Sequence, residues 1–502
     1  MLRGFEEATI PELQAAMKGG TASSVGLVKW YLRRISKMDR EGPGLHSIAQ
    51  VNPSALIVAR QLDRERSETG PRGPLHGIPV VLKDSIATTD EMETTAGSLA
   101  LLGCRPKKEA FVASRLREAG AVILGKSNLS EWANFRSNNS SSGWSGRGGQ
   151  VRNPYVLDRT PCGSSSGSAV SVAANLASAA VGTETDGSIL CPSSINGVVG
   201  IKTTLGLVSR AGVVPIAHSQ DTVGPIARTV TDAAVLLGAM VGVDGDDAST
   251  RSSRGKFHRD YTKFLDPKGL RGARVGVPRE LYFGYSDRAD EIADAAIRKM
   301  QRLGAKIIDP VNIPTAKKMA EGELDVLLYE FKADLNRYLA GLAKSKVRSL
   351  KDVIEFNRKH AHKELRYFGQ DLLLKAQRTT GLKDKKYLKA LRQTKSLSRE
   401  KGLDLVMNKH RLDALVAPTT SPAWTIDLVD GDHGLGGSSG PTALAGYPAI
   451  TVPAGFAFGL PVGVTFMGRA YSEPTLIRLA YAFEQATKHR VPPRFRPTVA
   501  VN

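Results

Sequence analysis

Pro161-Cys162-Gly163-Ser164-Ser165-Ser166-Gly167-Ser168 runs straight into the small-residue stretch Ala169–Ala180, and Gly182-Thr183-Glu184-Thr185-Asp186-Gly187-Ser188-Ile189 follows almost at once. Taken singly, each Gly/Ser cluster reads as a turn. Together, flanking what reads as a small-residue helix over Ala169–Ala180, they say more. Glycine lets a backbone approach a ligand closely, and consecutive amides in such a loop can point into one anion-binding hollow. An acyl-transfer enzyme needs that hollow for the oxyanion of its tetrahedral intermediate.

Gly163-Ser164-Ser165-Ser166-Gly167 also matches G-x-S-x-G, which would make Ser165 the elbow nucleophile of an α/β-hydrolase. That elbow requires a strand immediately before it, whereas residues 153–161 read as a loop of prolines and polar residues. None of the nine histidines, His76 and His218 included, stands in a distinctive setting for a Ser-His-Asp triad. A serine without histidine needs another base, and a lysine whose pKa is lowered by burial can serve. Lys83 ends the apolar run Gly77-Ile78-Pro79-Val80-Val81-Leu82, so a strand would carry it inward. The plain alternatives are a lysine surfacing at a strand end, or a surface ion pair with Asp84.

Outward from these motifs, residues 9–65 read as helices, opened by a capping pattern at Thr9-Ile10-Pro11-Glu12. Short apolar runs then alternate with helical stretches: Ile78–Leu82, Ala121–Leu124, Val275–Val277, Ile307–Ile308, Ala414–Ala417, Ile450–Val452 and Val462–Phe466. Several are continuous rather than alternating, as strands are when both faces of a sheet are covered. The pattern predicts an α/β fold with a central sheet. Between about 314 and 412 the strand signals vanish. That stretch reads as a helical excursion, with a separate domain as the alternative.

Composition narrows the classes. A chain of 502 residues, 41% hydrophobic with 50 glycines and 26 prolines, suits a loop-rich folded protein with a large core. No apolar run approaches the roughly 18 residues of a membrane span. The start, Met1-Leu2-Arg3-Gly4-Phe5-Glu6-Glu7, is acidic where a signal peptide is basic and then apolar, so a cytoplasmic location is the default expectation. Cys104, Cys162 and Cys191 are odd in number and lack a CxxC, which argues against a disulfide framework or zinc cluster and for semi-buried thiols. No HExxH, ligand cluster or nucleotide loop occurs, so no metal or organic cofactor is expected. The net charge of +20 would favour anionic partners; the plain reading is a basic, solvated surface. Basic residues crowd Lys344 to Arg411 among leucines at helical spacing (Leu372, Leu373, Leu374, Leu382, Leu388, Leu391), with few aromatics, so nucleic acid is an unlikely partner.

Gly77-Ile78-Pro79 leading to Lys83-Asp84, the Gly/Ser loop, and the motif ending at Ser188 together resemble the amidase signature family. The two serines stand 188 − 164 = 24 residues apart, the separation that family keeps between its catalytic serines. Ser130-Glu131-Trp132-Ala133-Asn134-Phe135-Arg136, Ser142-Gly143-Trp144-Ser145, Ala417-Pro418-Thr419-Thr420 and Gly459-Leu460-Pro461-Val462-Gly463 look like its bacterial peptide amidase branch. The likeness runs from about Ile10 to Arg494. It implies one amidase signature domain over 1–502 with a large mixed sheet flanked by helices on both faces. Within it, 1–65 is an N-terminal helical segment, 66–313 a core with the catalytic motifs, 314–412 the helical excursion and 413–502 the completion of the core.

Carried over by position, the resemblance makes Ser188 the acylated nucleophile, Ser164 a bridging serine after a cis peptide bond to Gly163, and Lys83 a base that is neutral at rest. The backbone amides of Thr185, Asp186, Gly187 and Ser188 would form the oxyanion hole. Asp186 and Leu190 replace a glycine and an arginine common in the family, in agreement with the peptide amidase branch, and Ser166 replaces a common glycine. A carboxylate at 186 would oppose an anionic intermediate unless it points away, so it is expected to hydrogen-bond its own loop. Trp132, Ala133, Asn134, Phe135 and Trp144 are the candidate substrate pocket. The implied activity is hydrolysis of a primary amide with release of ammonia, the leading substrate being the C-terminal amide of a peptide. A broad hydrolase of small or aryl amides and esters is one alternative. The amidase subunit of a tRNA-dependent amidotransferase is the other.

Overall fold

The structure, a computed structural model, describes residues 4–500, so the first three residues of the acidic N-terminal stretch read above lie outside it. Apart from a short hairpin of Trp144–Ser145 with Gly149–Gln150, its strands are β1 (Ile48–Val51), β2 (Pro79–Lys83), β3 (Val122–Ser127), β4 (Ala179–Glu184), β5 (Val199–Lys202), β6 (Thr222–Ala227), β7 (Arg274–Gly276), β8 (Lys306–Ile308), β9 (Ala414–Pro418), β10 (Ala449–Ala457) and β11 (Leu460–Met467). They join in one mixed sheet in the order β1-β3-β2-β4-β6-β5-β10-β11-β9-β7-β8. The pairs β3/β2, β2/β4, β9/β7 and β7/β8 are parallel and the rest antiparallel.

Both faces of the sheet are covered, which is why its strands read as unbroken apolar runs. Val80, Leu82, Ile123, Ala179 and Val181 face one hydrophobic cluster; Val81, Val122, Leu124 and Ala180 face another on the opposite side. Side chains alternate along a strand, so Lys83 shares the face of Val81. On that face lies the helix Ser166–Ala173, whose Ala169, Val170, Val172 and Ala173 belong to the same cluster. The sheet thus delivers a lysine to the start of the helix that follows the first serine loop.

Two expectations change. Residues 9–65 are not all helix: between the helices Ser24–Arg34 and Ala55–Glu68, β1 pairs antiparallel with β3 at the sheet edge. The small-residue helix stops at Ala173 rather than Ala180, because Asn175 turns left-handed (φ 57°) and Ala179 and Ala180 pair with Val80 and Val81. Small residues suit a tight helix and a buried strand alike. The capping box is present, with Thr9 Oγ1 accepting from Glu12 N–H and Glu12 Oε2 from Thr9 N–H. From 314 to 412 the chain is helical, and its buried Phe331, Leu335, Leu350 and Leu372 pack with Trp132 and Phe135.

Gly167 shows how closely the Ser164 loop is seated. A Cβ there would lie 2.2 Å from Ser47 O and 2.5 Å from Asn128 O, both backbone atoms. Gly167→Ala is expected to lower Tm, since overpacking costs about 1–3 kcal/mol, and to lower turnover with it. Gly369→Ala, where a Cβ meets nothing within 4 Å, should do neither. Calorimetry of the two variants checks this; an unchanged Tm for Gly167→Ala would show that the loop yields.

Candidate active site

Lys83, wholly buried, places Nζ 2.7 Å from Ser164 Oγ and 2.9 Å from Thr183 Oγ1, and donates to Thr183 O at 3.1 Å. Ser164 Oγ donates in turn to Ser188 Oγ at 3.0 Å. The three groups form one line from the sheet to the second serine loop. Burial pulls the Lys83 amine down to about 7, against the opposing pull of Glu184 and Asp221. A lysine in this state exchanges its proton near neutrality. The Gly163–Ser164 peptide is cis.

Buried carboxylates fix the second loop. Glu184, at the end of β4, accepts from Ile189 N–H (2.7 Å) and Leu190 N–H (2.9 Å), fastening the chain just past Ser188. Thr185 Oγ1 donates to Asp221 Oδ1 at 2.7 Å, and Asp221 Oδ2 accepts from Ile216 and Ala217 N–H. Gly187 takes a left-handed φ of 78°, which glycine allows without strain. Ser165 N–H donates to Ser188 O at 3.1 Å. The amides of Thr185, Asp186, Gly187 and Ser188 have no hydrogen-bond acceptor among the described residues, so four consecutive N–H groups remain for an anion.

The Asp186 carboxyl does not bond its own loop, as the sequence suggested. It faces Ser439 and Glu323. Burial, reinforced by the Glu323 carboxyl, raises its pKa. Its Oδ1 is buried without a hydrogen-bond partner. Ser165 is buried, donates to Thr183 O and has no strand before it, as expected for a loop residue rather than an elbow nucleophile.

Of the five pocket candidates, Ala133 lines a small hollow with Ser164, Thr183, Thr185, Val214 and Asp221. Asn134 is half-buried and donates to Ser142 Oγ. Trp132 and Phe135 pack behind, Phe135 against Phe331, and Trp144 lies against Arg136, Tyr367 and Phe368. Trp132, Ala133 and Asn134 form an arch of three left-handed residues (φ 50°, 54° and 71°). Its flanks are pinned by an ion pair at 2.7 Å between wholly buried Glu131 and Arg136. Sequence reasoning missed Thr183, Glu184 and Asp221 as partners of the site; only the position of the first two inside the motif hinted at them.

The cysteine reading is corrected: Cys162 and Cys191 form a disulfide, and Cys104 alone is free. An odd count excluded a framework of bridges but not one bridge between residues that the fold makes neighbours. Among the described residues, His218, Glu330 and Asp334 are the one group that could hold a metal ion. There His218 Nδ1 already stands 2.7 Å from Asp334 and Nε2 3.3 Å from Glu330, an ion-pair arrangement.

A family model for amidases matches residues 26–477. A probable amidase of Arabidopsis thaliana is 46% identical over 500 residues, spanning 98% of this chain and 92% of the relative. Native peptide amidase from Stenotrophomonas maltophilia is 51% identical with a TM-score of 0.93, the match covering 98% of this chain and 99% of that one. The peptide amidase PAM in complex with the competitive inhibitor chymostatin is 52% identical, with a TM-score of 0.94 and the same coverage.

The depressed Lys83 has a consequence for stability. Unfolded, its amine keeps a proton up to about 10.5; folded, it releases the proton near 7. Between those values folding sheds a proton, so this residue's contribution to stability rises with pH. Urea unfolding of parent and Lys83→Met from pH 7 to 10 should show the difference moving in the parent's favour. A difference flat with pH would mean that Lys83 keeps an ordinary pKa.

Proposed function

The chain belongs to the amidase family and is a hydrolase acting on amide C–N bonds; we propose that Ser188, Ser164 and Lys83 are its catalytic triad and that it hydrolyses the C-terminal amide of peptides. The observation that carries the triad is the line Lys83–Ser164–Ser188, with contacts of 2.7 and 3.0 Å, ending on an amine that is neutral above about 7.

Ser188 Oγ attacks the amide carbon while its proton passes to Ser164 Oγ, whose own proton passes to Lys83 Nζ. The oxyanion lodges on the amides of residues 185–188, which have no other acceptor among the described residues. The proton then returns through Ser164 to the leaving nitrogen, ammonia departs, and the acyl group stays as an ester on Ser188. Water, deprotonated through the same relay, releases the acid. Glu184 and Asp221 hold the amides, and Thr183 orients the amine. The two peptide amidase structures, similar over nearly the whole chain, support a peptide as the acyl group.

Ser188→Ala should lose turnover by several orders of magnitude. A serine-directed phosphonate should label Ser188 and leave Ser165 untouched; the reverse would refute the triad. The rate should rise with pH through about 7 as Lys83 loses its proton. Lys83→Arg should be nearly as inactive as Lys83→Met, because a guanidinium cannot act as a base there. For the substrate, mass spectrometry of an amidated peptide should show the terminal amide converted to acid, one ammonia released per peptide, and no internal fragments. An inert peptide amide beside a rapidly cut aryl amide would assign the enzyme to small amides instead.

A further inference from the structure

The disulfide is placed where the two serine loops meet. Cys162 lies two residues before Ser164 and Cys191 three after Ser188. Each half-cystine is bonded closely to its own loop. Cys162 N–H donates to Thr160 Oγ1 at 3.0 Å, and its carbonyl accepts from Ser166 Oγ at 2.6 Å. Cys191 N–H donates to Gly187 O at 2.8 Å. Besides the S–S bond, the segments share bonds from Ser165 N–H to Ser188 O, Ser164 Oγ to Ser188 Oγ at 3.0 Å, Ser165 Oγ to Thr183 O at 3.1 Å, Thr183 N–H to Ser165 Oγ at 3.3 Å and Asn196 Nδ2 to Pro161 O at 2.9 Å. Each of those is a neutral hydrogen bond of about 1 kcal/mol. The covalent bond alone cannot open by fluctuation. Cys162 is buried among Tyr155, Val156, Ile195 and Leu460, whereas Cys191 is half-buried and is the more exposed of the two.

We propose that the Cys162–Cys191 disulfide is a positioning link that keeps the bridging serine in register with the nucleophile, so that thiol–disulfide exchange at this bond sets the turnover of the enzyme. The inference rests on Ser164 and Ser188 being the catalytic pair. Proton relay requires oxygens about 2.6–3.2 Å apart, and the two Oγ atoms stand at 3.0 Å. A slip of about 1 Å costs on the order of a hundredfold in rate. Ala133, Val214 and Asp221 line the hollow from other segments, beside Ser164, Thr183 and Thr185 of the linked loops, so part of its wall stays in place without the link and the loss falls mainly on kcat. Chemically, a thiolate of a dithiol attacks Cys191 Sγ, and the S–S bond breaks to release the Cys162 thiolate. The second thiol of the reagent then displaces Cys191 and closes its own disulfide. Two electrons pass from dithiol to cystine, and both cysteines leave as thiols.

The test uses the full chain and dithiothreitol. Thiol titration of the unfolded protein should count one thiol before reduction, Cys104, and three after. Reduction should lower kcat about tenfold or more, as expected for a misplaced relay, leave KM within about twofold, and be reversed by oxidised dithiothreitol. The Cys162→Ala/Cys191→Ala variant should have the low kcat and ignore dithiothreitol. Full reduction with kcat unchanged overturns the proposal. So does a loss of rate that tracks a Tm falling to the assay temperature, which would make the bond purely structural, or three thiols in the untreated active protein. The phosphonate separates this failure from failure of the triad. If Ser188 is not labelled in the oxidised protein, the triad falls; if Ser188 is labelled and the rate ignores reduction, only the link falls.

Discussion

Everything at this site depends on an amine buried at the end of a central strand. An ammonium there, with hydroxyls and a carbonyl as partners and no carboxylate in hydrogen-bond contact, is poorly solvated. Two other lysines are equally buried, and they show what sets Lys83 apart. Lys202 donates to Tyr447 O and lies in the field of Glu184, Asp186 and Glu473, and Lys126 lies in that of Asp84 and Asp90. Burial lowers both only to about 8, whereas Lys83 falls to about 7. Burial thus lowers all three amines against the pull of nearby carboxylates, and of the three only Lys83 bonds Ser164 Oγ.

That setting creates a tension with the neighbouring loop. Glu184 and Asp221 are needed to hold the backbone of residues 184–190, yet each favours the protonated form of Lys83. The fold resolves it by spending the carboxylates on backbone and hydroxyl donors: Glu184 takes two amides, and Asp221 takes two amides and a threonine. A carboxylate bound in this way organises its neighbours while its field at the amine is outweighed by desolvation. The Asp186 carboxyl, in the same loop, faces Glu323, and burial together with that acid raises its pKa. The loop is therefore rich in acids without being hostile to an anion.

How much of this was legible depends on whether a residue's role follows from its own neighbours in sequence. The apolar run before Lys83, the cap at Thr9 and the loop before Ser165 all did, and the structure has each of them. β6 was not legible, because Gly224 and Pro225 punctuate its Thr-Val-Gly-Pro-Ile-Ala sequence. The fold needs that glycine: a Cβ on Gly224 would fall 1.9 Å from Ile201 O on the adjoining strand. The disulfide, the Asp186–Glu323 pair and the Asp221 anchor join segments distant in sequence, and no local pattern encodes them. The arch Trp132–Asn134 runs against the backbone preference of its residues, so propensity pointed elsewhere.

That arch shows what the helical stretch 314–412 adds to the sheet. Left-handed non-glycine residues cost of order 1–3 kcal/mol each and persist only where their surroundings over-determine them. Here the surroundings are the Glu131–Arg136 pair, the Trp144 and Phe368 rings against the guanidinium (4.9 and 4.0 Å), and Glu364, which accepts from Leu99 N–H. Burial raises the pKa of both Glu131 and Glu364, the two acids that crowd a single arginine. Glu364 and Phe368 come from the helical stretch, while Ser130, at the foot of the arch, donates its N–H to Ser164 O at 3.2 Å. The sheet therefore fixes Lys83, and the two serine loops bring Ser164 and Ser188 into line with it. The helices support the wall that Ala133 presents beside them, and the Ser130 bond ties that wall to the Ser164 loop.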